Sequence, residues 1–171
     1  MDTRQRARFA RAISQLARVL DEEGIPVWLG GAWGHYALDP DHQPLESSAL
    51  FYLYAEDASE VRRTAEDSGH AVVDMSPSGF TTDQGDLLIV WHLLWMDEAG
   101  ETVSFDEHDC PYRWPAGSFS SELRGLISGI PVRIVDPQAE MLHDNLPSGQ
   151  RNQHRRRMDV SKVKAIIHDR M

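Results

Sequence analysis

Nine consecutive residues, Leu87-Leu88-Ile89-Val90-Trp91-His92-Leu93-Leu94-Trp95, contain a single polar side chain, His92. The run is far shorter than the roughly 18 apolar residues a membrane-spanning helix needs. Its branched and aromatic residues favour a strand. If side chains alternate, Val90, His92 and Leu94 share one face, and Trp91, Leu93 and Trp95 share the other. A strand with two largely apolar faces belongs in a sheet that other elements cover.

The remaining elements supply that cover. Phe9, Ile13, Leu16 and Leu20 recur at helical spacing and predict a helix over 3–23, ended by Gly24 and Pro26. Val27-Trp28-Leu29 reads as a short buried strand. Gly30-Gly31 is a tight turn into a helix over 32–38. Residues 39–48 form a polar, proline-punctuated loop. A strand follows over 49–54, then a helix over 56–68. Strands are expected at 71–75, 79–82, 87–95 and 102–105, with an irregular segment over 106–118. A last hairpin over 123–135 turns at Ser128-Gly129, a helix runs from Pro137 to about 146, and a terminal helix covers 152–168. Strands that first interleave with helices and then come in a run imply an α/β (α+β) chain with a mixed β-sheet and flanking helices. At 171 residues and 41% hydrophobic, it is expected to form a single domain over 1–171.

The net charge of -10 opposes general binding to nucleic-acid backbones. Residues 151–157 are a local exception, with four arginines and one histidine; they form either a solvated helix start or an anion contact. No run is long and apolar enough for a membrane span, and the N-terminus leads into a charged amphipathic segment. The lone cysteine, Cys110, excludes an internal disulfide and a cysteine-based zinc cluster. A cytoplasmic protein with no nucleic-acid or membrane partner is expected, its oligomeric state left open.

Four segments in order resemble the aminoglycoside and lincosamide nucleotidyltransferase group. Val27 to Gly34 is similar to the strand, double glycine and helix start that open the nucleotide site there. Glycines let a backbone approach phosphate, and a helix N-terminus offers N–H donors. Ala49 to Asp57 resembles the strand that carries an Asp-x-Asp pair. Leu88 to Trp95 resembles the strand with a third carboxylate, and Gly129 to His143 the late hairpin and helix, a match that Arg156, Asp159 and Val160 extend. The resemblance implies a nucleotidyltransferase-like fold across most of the chain.

It also implies where the metal-binding carboxylates belong, and none is there. The Asp-x-Asp positions fall on Ser48 and Leu50, or on Ser47 and Ala49 after a one-residue slip. The third falls on Val90. Nucleotidyl transfer in this superfamily uses two Mg²⁺ ions, which need oxygen ligands in near-octahedral geometry at about 2.1 Å. Glu46 and Asp86 are the nearest substitute acids, and they are scattered. No metal site and no cofactor are therefore expected.

Relieved of charge, this face suits an organic ligand. His92 is a general acid or base there, or else a hydrogen-bonded core histidine. Glu46 is a loop proton acceptor or a solvated charge, and Ser48 supplies a hydroxyl. Gly30, Gly31, Trp33, His35, Leu50, Tyr52, Val90 and Trp114 are the candidate binding residues, with Trp114 as a cap over the cleft and His35 otherwise a surface or packing residue. The cluster Asp106-Glu107-His108-Asp109-Cys110 is a candidate metal site of carboxylate and imidazole type, against which the lack of a second spaced ligand pair counts. The expected function is small-molecule binding with metal-independent acid–base chemistry: isomerisation, elimination or cyclisation in a biosynthetic pathway. The alternatives are metal-dependent nucleotidyl transfer to a hydroxylated small molecule such as an antibiotic, and ligand or partner binding without catalysis.

Overall fold

The computed structural model describes residues 1–106 and 108–145. The expected terminal helix, the arginine-rich run at 151–157 and Glu107 lie outside those residues. Helix α1 (Thr3–Glu22) is capped by the Asp2 carboxylate, which accepts from the Gln5 N–H at 2.8 Å. Its buried stripe includes Phe9, Ile13, Leu16 and Leu20, as the spacing requires. Strand β1 (Val27–Gly30) runs directly into α2 (Gly31–Leu38). Strand β2 (Ser48–Tyr54) passes through a 3-10 turn at Ala55–Asp57 into α3 (Ala58–Asp67). Strands β3 (Ala71–Ser76), β4 (Gly79–Gln84) and β5 (Leu87–Met96) form a meander. Then come β6 (Thr102–Phe105) and β7 (Pro111–Arg113), the hairpin β8 (Arg124–Ile127) and β9 (Ile130–Arg133), and α4 (Pro137–Asn145).

The main sheet has the order β1-β2-β5-β4-β3, with β6 added to β5 and β7 to β6. Among its described strands, β2 and β5 are parallel and the other strand pairs are antiparallel. The result is a mixed sheet with flanking helices, the class the element pattern implies.

Alternation divides the sheet into two faces. The odd-numbered residues of β1, β2 and β5 join α1 and α3 in the larger core. Trp91 is stacked between Phe51 at 5.0 Å and Phe80 at 5.7 Å, and its indole N–H donates to Thr82 Oγ1 at 2.9 Å. Each such side chain contributes on the order of 1.5–3 kcal/mol through burial. Trp33, expected in the ligand site, belongs to this core: it is 1% exposed, with its edge against Tyr36. The even-numbered residues form the opposite face with Trp28, Tyr52, Leu94, Tyr112 and Trp114.

One strand went unread in the sequence. Pro111–Arg113 pairs with β6 inside the segment expected to be irregular. Within that segment the Asp106 carboxylate accepts from the His108 and Cys110 N–H groups at 2.9 and 2.8 Å, which makes it a turn-former.

Candidate functional site

Register places the even face residue by residue. Gly30 lies opposite Leu50, and Leu50 opposite Val90, giving one row across three strands. Trp28, Tyr52 and His92 form the next row. Ser48 begins the same face on β2, half-buried, and its hydroxyl reaches the exposed Glu46 carboxylate at 3.4 Å.

Aromatic side chains cover the second row. Trp114 is 3% exposed and packs edge-on over the Tyr52 ring at 5.4 Å. Its indole N–H donates to Ser104 Oγ at 2.9 Å, and its plane stacks on His143 of α4 at 4.6 Å. Phe119 and Tyr112 close the group at 5.0 and 5.2 Å from the Trp114 ring. Trp114 is thus a fixed roof over Tyr52. His92 lies 5.6 Å from the Tyr52 ring. His35, by contrast, is exposed on α2 and pairs with the His42 ring at 5.2 Å, apart from this aromatic group.

The group sequence reasoning missed is Glu140. The segment after β9 runs beside β1: Ile134 bridges Leu29 in parallel, and the Val135 N–H donates to the Leu29 carbonyl at 3.1 Å. Asp136 then caps α4, accepting from the Gln138 N–H at 2.8 Å. These contacts bring the first turn of α4 against the Gly30-Gly31 turn. There the Gly31 N–H donates to Glu140 Oε1 at 2.8 Å. Gly31 has a φ of +59°, in the region that favours glycine, and a Cβ on Gly30 would overlap the Glu140 carboxylate. In sequence, Glu140 reads as an ordinary helical acid. The only hint was its i, i+3 spacing to His143, which puts both on one helix face.

Burial sets the titration of these groups. It raises the Glu140 carboxyl above the usual carboxylate range; the Gly31 N–H opposes this and the Asp144 charge adds to it. Tyr52 is raised well above the ordinary phenol, first by burial and then by Glu140 and Asp144. His92 is lowered, first by burial and then by His143, against a backbone hydrogen bond at Phe105. At neutral pH both effects favour the uncharged imidazole and phenol.

The residues present do not fit a pair of hard divalent ions. Leu50 and Val90 have no donor atoms, and Ser48 has one hydroxyl. Asp86 is turned toward α1, paired with Arg8 at 2.6 Å. Among the described residues, no three or more His, Cys, Asp or Glu side chains are grouped to hold a metal ion. Mg²⁺ needs about six oxygens in octahedral array, and Ser48, Leu50 and Val90 together offer one. No helix among the described residues is long and apolar enough to cross a membrane.

Comparison with known proteins identifies the scaffold. The family model for aminoglycoside-2''-adenylyltransferase matches residues 12–163. A 2''-aminoglycoside nucleotidyltransferase of Klebsiella pneumoniae is 28% identical over 141 residues, covering 78% of this chain and 68% of that protein. Two solved structures share the fold. ANT(2'')-Ia in complex with adenylyl-2''-tobramycin has a TM-score of 0.61 at 22% identity, over 94% of this chain and 95% of the other. The lincosamide antibiotic adenylyltransferase LnuA, lincomycin-bound, has a TM-score of 0.63 at 16% identity, over 91% and 96%. These findings overturn the expectation of an isomerase, lyase or cyclase in a biosynthetic pathway. That expectation rested on an apolar lining, which many ligands suit and which specifies no reaction; the relatives are nucleotidyltransferases. The chain belongs to the aminoglycoside-2''-adenylyltransferase family.

Proposed function

We propose that the protein recognises a hydroxylated, amine-bearing small molecule of the aminoglycoside or lincosamide type in the cleft of the adenylyltransferase fold. The observation that carries this is the family match over 12–163, which spans both the Gly30-Gly31 turn and the Leu50–Val90 row. Charge points the same way. A chain at -10 attracts polyamine ligands and repels nucleic acid, so a small cation in the cytoplasm is the natural partner. Glu46 and Asp144 place exposed acids near the face.

Nucleotidyl transfer to a hydroxyl of that molecule is the second reading, favoured by the similarity to a 2''-aminoglycoside nucleotidyltransferase. The side chains at Ser48, Leu50 and Val90 count against the metal-dependent step, so recognition without transfer is the reading adopted. Calorimetric titration of the full chain with tobramycin and with lincomycin tests binding, and labelled ATP with Mg²⁺ and either antibiotic tests transfer. Saturable binding without label transfer is expected. Transfer of the label would establish the second reading, and failure to bind either compound would remove the first.

A further inference from the structure

We propose that Glu140 is a built-in substitute for a ligand phosphate, and that its carboxyl closes the Gly30-Gly31 turn to nucleotides. The proposal deepens the reading of recognition without transfer and rests on it.

The N-terminus of α2 is the part of this fold best suited to an anion. It follows a strand directly, it opens on two glycines, and its first N–H groups have no helical partner. Here the Gly31 donor is already satisfied, by Glu140 Oε1 at 2.8 Å. The carboxyl also takes the space above Gly30 that the missing side chain leaves open. A phosphate oxygen would need that same donor and that same volume.

Glu140 is 5% exposed, and its carboxyl is buried against Tyr52, whose hydroxyl interacts with it. A buried acid is costly in an apolar setting. The helix N-terminus offsets part of that cost through the charge-assisted bond and the aligned peptide dipoles. Nor is the approach accidental. The Leu29–Ile134 bridge, the Val135 N–H and the Asp136 cap fix where α4 starts, and so fix where its first-turn acid lands. The neighbouring row carries no group to hold a metal, so the triphosphate has lost both its usual partners.

Binding of inorganic pyrophosphate and of ATP with Mg²⁺ is measured on the full chain by NMR and calorimetry, for the wild type and for Glu140→Ala. The wild type is expected to show no saturable binding of either. Glu140→Ala is expected to bind pyrophosphate at least about tenfold more tightly, with the Gly31 amide resonance shifting on titration, because a vacant helix N-terminus receives anions. A folded Glu140→Ala protein with no such gain, or a wild type that binds ATP with a Gly31 amide shift, overturns the proposal. If the variant does not fold, the wild type still decides: the Gly31 amide proton must titrate with the same midpoint as the Glu140 side-chain carboxyl, and separate midpoints overturn the contact. Tobramycin binding is scored independently. A wild type that binds both tobramycin and ATP keeps the recognition reading and removes this one; a wild type that binds neither does the reverse.

Discussion

Leu50 and Val90 are direct partners across the parallel β2–β5 pair, and Gly30 faces Leu50 from the other side. The row that would have to present two of three metal-binding acids is therefore one continuous strip of hydrocarbon and backbone. Restoring acids tests that placement. The combined variant Ser48→Asp, Leu50→Asp and Val90→Asp brings three carboxylates together on adjacent strands. Without metal it should be less stable than the wild type by roughly 1–3 kcal/mol per half-buried charge. Added Mn²⁺ should raise its melting temperature, as binding to the folded form alone requires, and leave that of the wild type unchanged. Equal melting curves with and without the ion in the variant would show that the three positions do not converge.

Gly30→Ala should be strongly destabilising. Its Cβ would overlap the Glu140 carboxylate and come within 2.8 Å of the Tyr52 ring. Overpacking of this kind costs about 1–3 kcal/mol. Urea unfolding measures the loss, and the double variant Gly30→Ala with Glu140→Ala should recover part of it. Strict additivity would mean the two residues do not compete for the same space.

Trp114→Ala removes a buried ring that contacts Tyr52, Phe119 and His143 and donates to Ser104. The expected loss is about 3–5 kcal/mol. Ser104→Ala leaves the indole N–H unpaired and should lose about 1–3 kcal/mol. If Trp114 were instead a mobile lid, both values would fall below about 0.5 kcal/mol, the usual range for surface changes.

His92 and Glu140 give pH dependences of opposite sign. The folded-state pKa of His92 is below 6.5, chiefly through burial. As pH drops below 6.5 the unfolded chain binds the proton and the folded chain resists it, so this contribution is present above 6.5 and fades toward the folded value. The folded-state pKa of Glu140 is above 4.5, again chiefly through burial. Its contribution is complete below 4.5 and is lost as pH rises through the folded value. Denaturation of the wild type, His92→Gln and Glu140→Gln between pH 4 and 8 separates the two. The stability advantage of the wild type over His92→Gln should shrink on acidification, and its advantage over Glu140→Gln should shrink on the alkaline side. A parallel offset at every pH would show that neither group has a shifted pKa.

Much of the fold was legible because its signals are local. The spacing of Phe9, Ile13, Leu16 and Leu20 fixes α1, and the alternation through Leu87–Trp95 assigns the two faces of β5. Strand β7 was not legible: three residues beginning with proline carry no period, and only pairing with β6 makes them a strand. Trp33 followed the glycine turn into the larger core because an eight-residue helix can turn its aromatic side chain either way, and sequence does not set that rotation.

The site divides along the same line. Ser48, Leu50, Tyr52, Val90 and His92 share a face because alternation and strand pairing put them there. Glu140 was invisible because its burial depends on contacts distant in sequence: Leu29 with Ile134, then Gly31 across 109 positions. The same limit explains the mistaken chemistry. Residue types showed which reaction lacks its tools, and they held no positive sign of an isomerase or cyclase.

The tether between β1 and α4 also bears on how the cleft responds to its surroundings. A loop whose donors depend on a dissolved anion firms or slackens with that anion's concentration. Here the gripping group travels on the polypeptide, at fixed stoichiometry, whatever happens to metabolite pools. The donor at Gly31 is met during folding by the chain's own Glu140.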